Sequence, residues 1–177
     1  MTSDPIHIVG AGPVGSLLAC LLARAGREVT VWEKRTELPD SSMAIGITPP
    51  SLDILDTLGL GDRFREEGVL IRRARVYEDG AECGRLEFRP SEHAILSLPQ
   101  AGTLNILHHA MRGCSSLEFR GGEAFPPDRS RTPSGWIVGC DGVGSTVREL
   151  AGIPWRSKPA PKTSSIARST RADEPTS

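Results

Sequence analysis

Gly10, Gly12 and Gly15 follow directly on a short β-prone run, Ile6-His7-Ile8-Val9, and lead into a helical pattern. In that setting three small residues acquire a chemistry. The first glycine allows a tight turn out of the strand, the second lets the backbone approach a pyrophosphate, and the third lets the helix pack close to the sheet. The helix start then presents free N–H groups and a partial positive charge to the phosphates. Pro13 and Val14 lie inside the same turn and count with it as candidate contacts. A bare Gly-x-Gly-x-x-Gly in a glycine-rich chain is a weak signal, and an ordinary strand-turn-helix would read the same way. Here the flanking strand, helix and second strand all agree with the nucleotide reading.

Glu33 ends the second β-prone run, Val29-Thr30-Val31-Trp32, at about the interval expected of the acid that binds ribose hydroxyls. A carboxylate there accepts two hydroxyl hydrogen bonds and repels a 2′-phosphate. This disfavours NADP in the site and leaves FAD and NAD open. Lys34, beside it, belongs to the same end of the candidate site. The structural alternative is a solvent-facing glutamate.

The elements that must position these residues can be read from periodicity. Leu17, Leu18, Leu21, Leu22 and Ala25 define the apolar side of the first helix, and Gly26 is placed for a left-handed cap. Ser41 to Pro50 reads as loop and Ser51 to Leu58 as helix, broken by Gly59-Leu60-Gly61-Asp62, with Asp62 capping a short helix through Arg65. Asp79-Gly80 signals a hairpin within 69–88. A short amphipathic helix spans Thr103 to Met111, Leu117-Glu118-Phe119 is a strand, and Pro126 to Gly135 is loop. Trp136-Ile137-Val138 is a buried-strand candidate, and a capped helix follows Ser145 through Leu150. Beyond Trp155 scarcely a large apolar residue remains, so 156–177 is expected to be a disordered tail. The βαβ opening sets the class as α/β.

Composition narrows the function further. The chain has 177 residues and a formal net charge of −1, without the basic stripe of a nucleic-acid binder. No apolar run reaches the roughly 18 residues of a membrane span, and no signal-peptide pattern opens the sequence. Cys20, Cys83, Cys114 and Cys140 are widely spaced, with no Cys-x-x-Cys pair and no histidine at ligand spacing. They read as reduced packing residues, with a cytoplasmic location as the default and no metal site. His108-His109 reads as a helix edge, where adjacent side chains face differently and do not share a metal.

Gly139-Cys140-Asp141-Gly142-Val143-Gly144-Ser145-Thr146-Val147-Arg148 resembles the second fingerprint of flavoprotein monooxygenases of the p-hydroxybenzoate hydroxylase and phenol hydroxylase-like type. The resemblance implies a FAD-binding Rossmann-like (glutathione-reductase-type) βαβ domain with a partial β-rich insertion. It implies that Asp141, Gly142 and Arg148 serve the cofactor and the reduced nicotinamide. Ala44 to Leu52, including Gly46, looks like the family's loop and helix beside the flavin ring. Ser42-Met43 stands where many relatives carry an arginine. Leu98-Pro99-Gln100 is similar to a signature in which Gln100 would contact the cofactor, with a plain helix start as the alternative. The domain so implied covers residues 1–155, with substrate-side elements around 69–135.

Such a family implies FAD as cofactor, NADPH or NADH as transient reductant, and dioxygen-dependent hydroxylation of an aromatic or other electron-rich small molecule. It assigns no catalytic base in this sequence. Family members are longer, continuing to a third fingerprint, a Gly-Asp pair, that nothing after Arg148 matches. The connection from Phe119 to Trp136 is also shorter than theirs. The resemblance therefore implies a truncated member, and two alternatives stand beside a working monooxygenase. One is a catalytically defective chain that retains only dinucleotide binding, and the other is an NAD-binding oxidoreductase module.

Overall fold

A computed structural model describes residues 4–38, 46–88 and 94–156. The expectations for Ser42-Met43 and for the tail from residue 157 lie outside those residues.

The opening unit forms as its sequence dictates. Strand β1 (Ile6–Val9) runs into helix α1 (Pro13–Arg24) and returns as β2 (Val29–Glu33), parallel to β1 with Ile6 opposite Val29 and Val9 opposite Trp32. Pro13 sits at the start of α1, where its missing N–H costs nothing. Gly26 adopts φ +74°, and Arg27 N–H donates to the Leu22 carbonyl, closing the helix in a left-handed cap as expected.

Next come β3 (Gly46–Ile47), α2 (Pro49–Thr57), α3 (Gly61–Glu67), β4 (Val69–Ile71), β5 (Arg73–Glu78), β6 (Ala81–Glu87) and β7 (Ile95–Ser97). Then follow α4 (Gln100–Arg112), β8 (Leu117–Gly121), β9 (Trp136–Gly139) and the short α5 (Thr146–Leu150). The main sheet is parallel throughout, in the order β8-β2-β1-β9. β3, β7 and β4 form a small antiparallel sheet, and β5 with β6 a separate hairpin. Asp79 and Gly80 both have positive φ, the primed turn whose twist suits a hairpin.

Both faces of the main sheet are covered. Ile6, Ile8, Val29 and Val31 pack on Ala19 and Cys20 of α1 and on Met111 of α4. Val9 and Trp32 face the other way and meet Phe125, Val147 and Leu150. A second core joins α2, α3 and α4 to the small sheet around Phe64, which is fully buried, with Leu55, Leu96 and Ile106. The β-rich insertion is thus a layer welded to α4 plus an exposed hairpin.

Three expectations need correction. Trp136-Ile137-Val138 is a strand, but it lies at the sheet edge and Trp136 is 65 % exposed. Asp62 does not cap α3: Leu60 is the N-cap residue, and the Asp62 carboxylate accepts from Arg65 at 3.5 Å. Cys83 is not a packing residue, for it lies exposed on β6. Boundaries also shift: the stretch expected as loop up to Pro50 holds β3 at Gly46–Ile47, α2 begins at Pro49 with proline in its first turn, and α4 begins at Gln100 with Pro99 as its N-cap.

Burial separates the thiols chemically. Desolvation pushes Cys20 up to about 11, with nearby Cys114 adding to the rise. The Cys20 thiol therefore stays protonated through the neutral range, and the thiolate is the reactive form. Alkylation of the native chain with iodoacetamide at pH 8 should label Cys83 first and leave Cys20 untouched until unfolding. Mass spectrometry of peptides from a time course checks this order.

Candidate functional site

The carboxyl ends of β1, β2 and β9 open onto one cleft of about 240 Å³. Its lining includes Gly10 and Gly12 from the first turn, Glu33 and Lys34 from the end of β2, and Asp141 and Gly142 from the turn after β9. A crevice outside the carboxyl ends of parallel strands is where open α/β sheets bind ligands. Residues far apart in sequence are thereby brought together as the motifs required.

The three glycines differ in what they make possible. Gly10 has φ +99°, and a Cβ there would lie 2.5 Å from the Cys140 carbonyl oxygen. Its bareness lets the first turn touch the turn after β9. A Cβ on Gly15 would overlap the Gly10 carbonyl oxygen, so this glycine sets the close approach of α1 to its own turn. Gly12 meets nothing within 4 Å. It caps α1 without a side-chain hydrogen bond, and no acidic residue occupies the first helical turn. Open space thus meets an uncapped helix N-terminus, the arrangement an anionic ligand needs.

Glu33 is held rather than free. Its Oε2 accepts the Ala11 N–H at 2.8 Å and its Oε1 the Arg35 N–H at 3.0 Å. The side chain is 16 % exposed, and it borders the main cleft and a smaller one beside it. Each carboxylate oxygen has a second lone pair for a hydroxyl. The carboxylate is already oriented, so a ribose would meet a fixed acceptor.

Asp141 is committed within the chain. Its Oδ1 accepts the Ser145 hydroxyl at 2.5 Å, and Oδ2 accepts the amides of Thr146 at 2.6 Å and Val147 at 3.3 Å. Ser145 Oγ accepts the Arg148 N–H at 3.0 Å. The two residues satisfy the first-turn amides of α5 and set the Gly142 turn, at φ +80°, against the cleft. Asp141→Ala should cost about 1–2 kcal/mol by loss of this capping, and Asp141→Asn less, since one carbonyl acceptor remains. Urea unfolding of the two variants measures the difference.

The other expected residues fall in three places. Gln100 is the first residue of α4, where the helix-start reading put it, and lines the smaller cleft with Gly12 and Glu33. Val14 stands 72 % exposed beside Pro13 on the first turn of α1. Arg148 donates to the Val143 carbonyl at 2.7 Å and lies over the Trp155 ring at 5.0 Å. Gly46 is outside the lining of both clefts, on β3 opposite Ser97.

Two features were not anticipated. His108 Nε2 reaches the Ala11 carbonyl at 3.1 Å, and Ser16 Oγ donates to the same oxygen at 3.0 Å, so the Ala11 peptide is gripped from α1, α4 and β2. Trp32 and Phe125 border the cleft from below, ring edge to ring face, with centroids 5.5 Å apart. A lone phenylalanine ahead of Pro126-Pro127 in a polar stretch was the signal for this border. No cluster of metal-ligating side chains occurs among the described residues.

The arrangement fits the adenosine and diphosphate half of a dinucleotide. The profile of the FAD binding domain family matches residues 4–130. Over 164 residues the chain is 32 % identical to the 12-dehydrotetracycline 5-monooxygenase/anhydrotetracycline 6-monooxygenase of Streptomyces rimosus subsp. rimosus, covering 84 % of this chain and 32 % of that protein. Over 169 residues it is 30 % identical to the rifampicin monooxygenase of Streptomyces venezuelae, covering 88 % of this chain and 35 % of that one. A solved anhydrotetracycline hydroxylase from Streptomyces rimosus superposes with TM-score 0.68 at 31 % identity, over 85 % of this chain and 34 % of its own. The chain spans about a third of the length of these curated relatives.

Proposed function

This chain belongs to the FAD binding domain family, and on that premise we propose that it supplies the FAD-holding part of a flavin-dependent monooxygenase. One observation carries the reading: the open, uncapped turn at Gly12 lies beside the pre-oriented carboxylate of Glu33, in one cleft with Asp141-Gly142. The names of the monooxygenase relatives support it.

In this reading the diphosphate lies against Gly10, Gly12, Pro13, Val14 and Gly15 at the α1 N-terminus. Glu33 accepts the ribose hydroxyls, with Lys34 beside the adenosine. Asp141 positions the Gly142 turn against the ligand, and Arg148 secures that turn through the Val143 carbonyl. Gln100 approaches from α4, and Gly46 borders the flavin end. When bound, FAD supplies the redox chemistry, drawing electrons from NADPH or NADH and using dioxygen to hydroxylate an electron-rich small molecule. The residues present bind and orient; none is assigned as an acid or base. Residues 1–155 form the FAD-binding domain, and the partner is a small molecule rather than nucleic acid. No helix among the described residues is long and apolar enough to cross a membrane, and the four cysteines, all free thiols, go with a cytoplasmic location.

Reconstitution tests the proposal. The chain should turn yellow with FAD and oxidise NADPH or NADH with matching dioxygen uptake, faster when a phenolic compound is added. Retention of FAD without nicotinamide oxidation would reject the activity and keep the binding. Tight NAD binding with no FAD binding would reject both.

A further inference from the structure

The underside of the cleft rests on a buried histidine. His7 lies on β1 opposite Thr30, so Trp32, two residues on, shares its face of the sheet. Trp32 Nε1–H donates to His7 Nδ1 at 3.5 Å. That acceptor role places the imidazole proton on Nε2, which donates to the Ser134 carbonyl at 3.2 Å. Both rings are buried. The Arg120 guanidinium lies over the Trp32 ring, 4.4 Å from its centroid, and Phe125 meets it edge to face. Trp32 and Phe125 in turn line the cleft.

We propose that His7 is a positioning residue for the nucleotide cleft, whose neutral imidazole holds Trp32 in place and whose protonation releases it. The inference rests on the reading of that cleft as the adenosine site. With both nitrogens protonated, Nδ1–H opposes the indole N–H, and the accepting role is lost. The new charge also lies beside a ring that already bears the Arg120 guanidinium. Trp32 then gives way, Phe125 loses its edge contact, and the cleft loses its border. The charged groups on the surrounding elements are Glu33 on β2, Glu118 and Arg120 on β8, Glu123, Asp128 and Arg131 in the connection to β9, Asp141 beyond it, and Arg148 and Glu149 on α5. None of them makes a hydrogen bond or ion pair with the imidazole among the described residues. His108 lines the smaller cleft beside the main one and donates to the Ala11 carbonyl, a bond that does not depend on His7.

The test compares FAD affinity of the wild-type chain and His7→Gln from pH 8 to pH 5.5, read by flavin fluorescence. Glutamine can accept from Trp32 and donate to Ser134, and it does not titrate in this range. The ratio of variant to wild-type affinity should rise about tenfold as pH falls, the size of one lost hydrogen bond. Taking the ratio cancels any contribution from His108. Trp32→Phe, which keeps a ring and removes the donor, should give the same trend, so a poorly folding His7→Gln leaves the idea testable. A ratio independent of pH in both variants overturns the proposal. If the chain binds no FAD, the cofactor reading fails separately. Tryptophan emission of the ligand-free chain then decides on His7: a pH dependence that His7→Gln abolishes sustains the clamp, and an identical profile in both overturns it.

Discussion

Gly15→Ala is expected to cost the fold about 3 kcal/mol or more and to abolish FAD binding, while Gly12→Val costs about 1 kcal/mol and loses binding all the same. The two glycines sit three residues apart in one motif, yet their surroundings differ in kind. A methyl on Gly15 overlaps the Gly10 carbonyl oxygen and crowds the Cys140 side chain. Both neighbours belong to turns of the cleft, and a backbone carbonyl cannot rotate aside as a side chain can. Helix α1 must lift off the sheet, pulling Ala19 and Cys20 from the core they share with Ile8 and Val31. A valine at Gly12 meets open space, with φ −67° and ψ 178° that any residue adopts. Its branched side chain then occupies the volume where the diphosphate would lie. Paired urea denaturation and FAD titration separate the two. Equal destabilisation by both variants would contradict this division, as would unimpaired FAD binding by Gly12→Val.

Glu33→Ala should weaken FAD binding about a hundredfold. A carboxylate accepting two ribose hydroxyls makes charge-assisted hydrogen bonds of about 1.5–3 kcal/mol each, part of which water recovers. The substitution also strands the Ala11 N–H, which Glu33 now accepts at 2.8 Å. Glu33→Gln keeps one carbonyl acceptor for Ala11 and should lose less, about tenfold. The order alanine, glutamine, wild type in FAD affinity is the signature. It should disappear for a ligand without an adenosine ribose, such as inorganic pyrophosphate.

The legible part of this molecule was the part whose information is local. Ile6 to Glu33 declares its strand, turn, helix and strand by period and by glycine position, and the parallel β1–β2 register follows. The hairpin at Asp79-Gly80 was equally local, because the turn needs two positive-φ residues. Trp136-Ile137-Val138 shows the limit. An apolar run looks the same in the middle of a sheet and at its edge, and only the partner strands decide burial. Asp62 failed for a related reason: its carboxylate had a cation available in Arg65, already held by Asp56 at 2.6 Å, and the cap fell to Leu60. At the site, Gly10, Gly12, Glu33 and Asp141-Gly142 were legible as motifs, and the structure joins them in one cleft. The lower border was not, since His7, Trp32, Arg120 and Phe125 come from four segments and meet only after the sheet has formed.

The central claim is that the cleft takes the adenosine diphosphate end of FAD. Calorimetric titration of the purified chain with FAD, ADP and FMN tests it directly. FAD and ADP should each bind with one site per chain, and ADP should compete with FAD, whereas FMN should neither bind at that site nor displace FAD. Competition by FMN with none by ADP would place the flavin end in the cleft and contradict the account.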